Sequence, residues 1–261
     1  MAEATATVTD AEKHAYERQG YIVRERSFSP GECAGIAEAC EALLADLEGR
    51  KPTASVLSGS HPLNQLADLG VTIKWEREHP DKIRGLEPFA HLDPRFETLA
   101  YDPRLTGPSG FICEADAVTL FTEKLHTKRA HTGGEIEVHQ DYPYWRPFGP
   151  RASRIMTAML LLDDATLANG CLEVAPGTHR GEVQATRSGL SGIDSLRMDP
   201  AKFDERRLVP IEAPAGSVLF FNAFLVHRSG HNRSDQDRRA ILFSYQPAGL
   251  AHAREFKASG K

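Results

Sequence analysis

The sequence has little cysteine, no long apolar run and no excess of basic charge. Its four cysteines, Cys33, Cys40, Cys113 and Cys171, show no CxxC spacing, so neither a zinc knuckle nor a disulfide framework is indicated. Cys33 and Cys40 stand two turns apart in a helical stretch, where small buried thiols are common, and all four are read as structural. No segment approaches the roughly 20 apolar residues of a spanning helix. Basic residues number 31 against 36 acidic ones, for a net charge of -5. That balance argues against nucleic acid or an anionic membrane as the main partner, because both select for concentrated Lys and Arg. The opening residues MAEATATVTDAEKH lack the basic-then-apolar order of a signal peptide, and a cytoplasmic location is the expectation. Nothing in the sequence sets an oligomeric state.

Apolar residues make up 41% and charged residues 26% of the chain, the composition of an ordinary globular protein. At 261 residues the chain is long enough for a full core, and a single domain over 1–261 is expected. Thr9 or Asp10 caps a helix that Gly20 stops, and a strand follows over Tyr21–Arg24. Ser29 and Pro30 announce a second helix, whose Ile36, Cys40, Leu43, Leu44 and Leu47 form one buried face. Lys51 to Asp68 reads as a loop, and Val71 to Glu76 alternates like a strand. Short helices are predicted from Asp93 to Thr106, after which the chain changes character at Gly107-Pro108. Strands then follow at Val118–Lys128, Ile155–Leu162, Cys171–Val174, Val218–Asn222 and Ile241–Tyr245, separated by Gly and Pro turns. Helices first and strands afterwards predict a β core, about 111–250, wrapped by a helical layer over about 1–110. The polar stretch Glu182–Arg207 reads as a lid or a disordered insertion.

Val138-His139-Gln140-Asp141-Tyr142 carries the most information. A His and an Asp two residues apart on extended chain present both side chains to one face. Phe220 to His227 supplies a third candidate ligand, His227, at the end of an apolar strand. Two imidazoles and one carboxylate on one face of an ion leave positions open, an arrangement suited to non-haem Fe(II). Beyond His227 come Ser229 and the pair Arg238-Arg239. A guanidinium matches a carboxylate in bidentate fashion, so one Arg with one Ser could fix the end of a dicarboxylic co-substrate. Strand alternation lets only one of the two arginines face inward. Lys124, His126 and Lys128 share one strand face and could assist the co-substrate or the substrate.

These blocks resemble the phytanoyl-CoA dioxygenase family of Fe(II)/2-oxoglutarate oxygenases. The likeness rests on Lys124 to Trp145 around His139-Gln140-Asp141, on Asn169-Gly170-Cys171-Leu172 with Pro176-Gly177-Thr178-His179, and on His227 and Ser229 with Asn232 and Arg238 to Ile241. The resemblance implies a mainly β fold with a double-stranded β-helix (jelly-roll, cupin-like) core. It implies Fe(II) on His139, Asp141 and His227, with O2 and 2-oxoglutarate as co-substrates and Arg238 and Ser229 on the far carboxylate of 2-oxoglutarate. Arg239 would then face away, and His179 would belong to a turn rather than to the metal. Because Asp141 keeps its carboxylate, hydroxylation is favoured over the halogenation of relatives that carry a small residue there.

For substrate contacts, Tyr142, Tyr144 and Trp145 follow the metal motif closely enough to line a pocket mouth, and Trp75 with Lys74 and Arg77 could reach it from the N-terminal layer. No large basic patch suggests a CoA thioester or a nucleotide, so a small polar metabolite or natural-product intermediate is expected. Two rivals stand beside this reading. One is a cupin-like metal-dependent isomerase or hydrolase, which has no need of the distal arginine; the other is a non-catalytic jelly-roll binding protein.

Overall fold

The protein is described by a computed structural model over residues 6–48, 56–58, 61–180, 197–199 and 201–258. The chain opens with helix α1, Asp10–Gln19, whose Thr9 and Glu12 form a reciprocal capping box that satisfies two otherwise orphaned N–H groups. Gly20 ends it at φ 89. A Cβ there would lie 2.4 Å from the His179 ring, so glycine is required both by conformation and by space. Strand β1, Tyr21–Arg24, leads to α2, Pro30–Glu48.

The stretch read as a loop before Asp68 instead contains β2, Val56–Ser58, and β3, His61–Leu66. Both are short and lie at the end of the large sheet, and Pro62 with its polar neighbours weakens the alternation signal. Then come β4, Val71–Trp75, and β5, Ile83–Glu87, followed by α3, Pro94–Ala100, and α4, Pro103–Cys113. Helix α4 runs straight through Gly107-Pro108, where the sequence predicted a boundary; Pro108 lies in its interior and Ser109 Oγ donates to the Leu105 carbonyl. The core strands are β6, Val118–Lys128; β7, Ile136–His139; β8, Met156–Leu161; β9, Leu172–Val174; β10, Val209–Ile211; β11, Val218–Asn222; β12, His227–Ser229; and β13, Arg238–Pro247. One-turn helix α5, Tyr142–Trp145, follows β7, and α6, Ala253–Ala258, closes the described chain. No helix among the described residues is long and apolar enough to cross a membrane.

The strands form two antiparallel sheets, a nine-stranded one in the order β1-β11-β8-β13-β6-β5-β4-β3-β2 and a four-stranded one in the order β10-β9-β12-β7, which face one another in a double-stranded β-helix. The N-terminal layer is not helical alone. It supplies β1 beside β11 and β2 to β5 beyond β6.

Alternation divides the large sheet cleanly. Val218 and Phe220 of β11, Ala158 and Leu160 of β8, and Ile241 and Phe243 of β13 point to the helical layer, where they meet Cys33, Cys40, Leu44 and Leu47 of α2. Leu219 and Phe221, Met159 and Leu161, and Ala240 point the other way, against Leu172, Val174 and Ile211 of the small sheet. Burial on both faces is why these strands read as unbroken apolar runs. The four cysteines are buried, and burial pushes the thiols of Cys33 and Cys171 up to about 11 and those of Cys40 and Cys113 to about 12, as inert structural residues require.

Candidate metal and co-substrate centre

The small sheet brings the two histidines together. In the pairing of β12 with β7, His227 stands directly opposite His139, and the ring centroids are 4.2 Å apart. His227 does not end the apolar strand, as the sequence suggested. That strand stops at Asn222, and residues 223–226 turn across to the other sheet so that His227 opens β12. Gln140 secures the crossing by donating from Nε2 to the Phe224 carbonyl at 2.5 Å. Asp141 arrives from a helical turn (φ -74, ψ -29) as the N-cap of α5 rather than from extended chain, and its Oδ1 lies 3.9 Å from His139 Nε2. The ligand atoms of His139, Asp141 and His227 all fall within 4.8 Å of one another.

Each imidazole is oriented by its own strand. His139 Nδ1 meets the Glu137 carbonyl at 2.8 Å and His227 Nδ1 meets the Leu225 carbonyl at 2.9 Å. A carbonyl only accepts, so each Nδ1 carries the proton and each Nε2 presents a lone pair. Burial, then the neighbouring His227, pulls His139 down to about 3, so its ring is neutral and ready to ligate.

Across the gap, the large sheet contributes Arg238. It is 1% exposed, and among the described residues its Nε and Nη1 have no hydrogen-bond partner. Ser229 Oγ, two residues beyond His227 on the same face of β12, is equally buried and equally unpartnered. Orphaned buried donors of this kind cost roughly 1–3 kcal/mol each, more for a charge. A guanidinium and a hydroxyl both buried and bare fit a carboxylate, and a His-Asp-His set that presents only lone pairs fits a divalent cation. Arg239 behaves as alternation demands and faces outward, where it pairs with Asp163 at 2.6 Å and Glu41 at 3.2 Å.

Loops hold these groups in place. Asn232, 1% exposed, donates from Nδ2 to the Lys128 and Gln236 carbonyls at 2.9 and 2.7 Å and accepts from Ser234. It thereby fixes the turn that delivers Arg238. Asn169 clamps its own turn through Thr166 and Asp164, and Gly170 at φ 75 packs so closely that a Cβ would lie 2.3 Å from the Gly230 carbonyl oxygen. The Asn-Gly pair is thus the buttress of the segment that follows Ser229. His179 sits against Tyr16 and Gly20, away from the metal ligands.

A cavity of about 980 Å³ opens from this centre, lined among others by Lys124, His126, His139, Asp141, Tyr144 and Trp145. Tyr144 stands edge-on to His139 at 5.8 Å. Two expected substrate contacts lie elsewhere. Trp75 is buried in the core beneath the large sheet because β4 alternates, and its parity turns Val71, Ile73 and Trp75 inward while Thr72 and Lys74 face the cavity. Tyr142 stacks on Phe224 at 4.3 Å and is not among the lining residues. Lys128 is likewise spoken for, its ammonium enclosed by the carbonyls of Gly134, Ser229 and Gly230. The sequence reading missed Arg84, Glu76, Glu87 and Arg197, which also line the wall. Of these, Arg84 and Glu87 lie on β5, where the internal Gly85 hid the strand period.

The Phytanoyl-CoA dioxygenase (PhyH) family model matches residues 16–240. The chain belongs to the phytanoyl-CoA dioxygenase family. It is an Fe(II)/2-oxoglutarate-dependent oxygenase by that membership, with O2 as the oxidant. It is 30% identical to the ectoine dioxygenase of Sphingopyxis alaskensis over 92% of this chain and 76% of that one. It is 23% identical to phytanoyl-CoA dioxygenase domain-containing protein 1 of Bos taurus over 93% and 91%. Among solved structures it is similar to EctD from S. alaskensis crystallised with 2-oxoglutarate and 5-hydroxyectoine, with a TM-score of 0.72, 25% identity and coverage of 95% and 78%.

Proposed function

We propose that this oxygenase hydroxylates an unactivated C–H bond of a small polar metabolite or natural-product intermediate, releasing succinate and CO2. The observation that carries the reading is the combination of the bare, buried guanidinium of Arg238 and Ser229 Oγ with the clustered ligand atoms of His139, Asp141 and His227. In it, His139, Asp141 and His227 hold Fe(II), and Arg238 with Ser229 binds the distal carboxylate of 2-oxoglutarate by charge-assisted hydrogen bonds. When bound, the iron couples oxidative decarboxylation of 2-oxoglutarate to oxygen insertion into the substrate.

The rest is the work of this chain. The Nδ1 contacts with the Glu137 and Leu225 carbonyls orient both rings so that Nε2 is the atom turned to the metal. Burial of Arg238 and Ser229 keeps water from competing for the carboxylate. His126, on the β6 face between Lys128 and Lys124, is held neutral by burial and then by the neighbouring Lys124 charge, so it can flank the co-substrate without adding charge. Tyr144 and Trp145 shape the substrate side. Asp141 retains a carboxylate, which supports hydroxylation over halogenation. The named activity of the ectoine dioxygenase relative supports a small polar substrate. An isomerase or hydrolase would leave Arg238 without a task. We also take residues 1–261 as one domain, since β1 and β5 complete the sheet of the core, and the location as cytoplasmic.

Succinate formation from 2-oxoglutarate under Fe(II) and O2, with and without candidate metabolites, tests the proposal. Asp141→Ala should abolish it; unchanged turnover would remove the assignment.

A further inference from the structure

Set back from the cavity's mouth, the charges are almost all committed before any substrate arrives; Arg77, Glu78, Glu135 and Arg254 also line it but are exposed. On its wall Lys74 pairs with Glu87 at 2.7 Å, Arg84 with Glu76 at 3.0 Å, and Arg197 with Glu137 at 2.9 Å. Lys124 is different. It faces the same space, yet no hydrogen bond or ion pair engages its ammonium among the described residues. The carboxylates within its electrostatic reach are Glu87 and Asp141. The first belongs to Lys74, and the second would be neutralised by Fe(II).

Strand register places Lys124 apart from the co-substrate anchor. Arg238 is opposite Lys128, Ala240 opposite His126, and Leu242 opposite Lys124. Four residues of strand separate the Lys124 level from the Arg238 level by about 13 Å, whereas Ser229 and His227 are only about 7 Å apart. The electrostatic neighbours agree: Lys124 acts on His139 and Asp141, while Arg238 feels Asp163, Cys171 and Arg84. Lys124 therefore stands on the cavity side of the metal ligands.

Charge balance completes the case. Fe(II) and Arg238 together would offset Asp141 and the two carboxylates of 2-oxoglutarate, and the wall pairs cancel. Among the lining charges that are not exposed, one positive charge, that of Lys124, is left half-buried and without a direct partner, where an uncompensated ion is costly. We infer that Lys124 is a specificity-determining residue that receives a carboxylate of the substrate, so the enzyme acts on an anionic rather than a neutral or cationic small molecule. Lys suits the task as a mobile point charge on a flexible stem.

This rests on the proposed Fe(II)/2-oxoglutarate centre, and the test separates the two. Anaerobic Fe(II)- and 2-oxoglutarate-loaded protein is titrated with small monocarboxylic acids and their matched primary amides, N-acetyl-L-leucine with N-acetyl-L-leucinamide among them. Wild type should bind acids about tenfold or more tightly than amides. Lys124→Met should erase that preference, Lys124→Arg should keep it, and 2-oxoglutarate affinity should stay within about twofold in both. Lys124→Gln repeats the comparison if the Met variant does not fold. Equal binding of acids and amides by wild type, absence of acid binding, or a preference that survives in Lys124→Met would overturn the inference. Loss of 2-oxoglutarate affinity in Lys124→Met would overturn it too, by making Lys124 a co-substrate group. Failure of wild type to bind 2-oxoglutarate would take down the parent reading as well.

Discussion

Arg238 and Arg239 are neighbours on one strand with opposite fates. Arg239 points to the helical side of the large sheet and finds Asp163 and Glu41, part of a network in which Arg129 also grips Glu41 and Asp237. Arg238 points between the sheets and lacks partners at two nitrogens. One face of the sheet has its polar groups satisfied and serves stability; the other keeps bare donors and serves binding. Unsatisfied burial, not charge itself, marks the functional face.

Substitutions can break this contrast. The largest effect is expected for Arg238→Met, which should weaken 2-oxoglutarate binding by about 100-fold or more, the loss of a charged hydrogen-bonded pair worth roughly 3 kcal/mol. The same change should leave the ligand-free protein no less stable by urea denaturation, since it removes a buried charge without a partner. Gly170→Ala should cost about 1–3 kcal/mol of stability in the same assay, because φ 75 and the Gly230 carbonyl both oppose a Cβ. Arg239→Met reverses the pattern of Arg238→Met. It should lower stability by about 1 kcal/mol, as a partly exposed pair is screened by solvent, and leave 2-oxoglutarate affinity unchanged by calorimetry.

The smallest effect sharpens the stability side alone. Arg104, then the Ser29 backbone, holds the Glu32 carboxyl down to about 2. A depressed folded pKa contributes stability above the unfolded value of about 4.3, and that contribution is lost as pH falls through about 2. Glu32→Gln should therefore make the acid limb of the stability curve shallower between those values, with stability slightly lowered near neutral pH and the two proteins converging below about pH 2.

What the sequence disclosed follows the same division. Strands β8, β11 and β13 were legible because burial on two faces leaves long apolar runs, and α1 because a cap at Thr9 or Asp10 and a stop at Gly20 are chemically explicit. The metal set was legible because His139 and Asp141 sit two apart and His227 precedes Ser229 and Arg238 at a family-like spacing. Strands β10 and β12, of three residues each, are too short to show a period, so the turn that carries His227 between sheets was invisible. Trp75 was misplaced because its proximity to Lys74 in sequence puts the two on opposite faces of β4. The wall pairs of Lys74, Arg84 and Arg197 join partners on different segments of the chain, which no local pattern reveals. The lid reading of Glu182–Arg207 falls largely outside the described residues; the described end packs back, with Met198 and Phe203 buried against Val138 and Val226.

In the proposed centre His139, Asp141 and His227 hold Fe(II), and the bare Arg238 takes the far carboxylate of 2-oxoglutarate. Anaerobic titration of 2-oxoglutarate into Fe(II)-loaded protein, followed by the visible charge-transfer absorption of a chelated 2-oxoacid, tests it most directly. The account predicts a saturable band in wild type, a band reached only at about 100-fold higher concentration in Arg238→Met, and none in His139→Ala. A wild type without the band, or an Arg238→Met titration that overlays wild type, would contradict it.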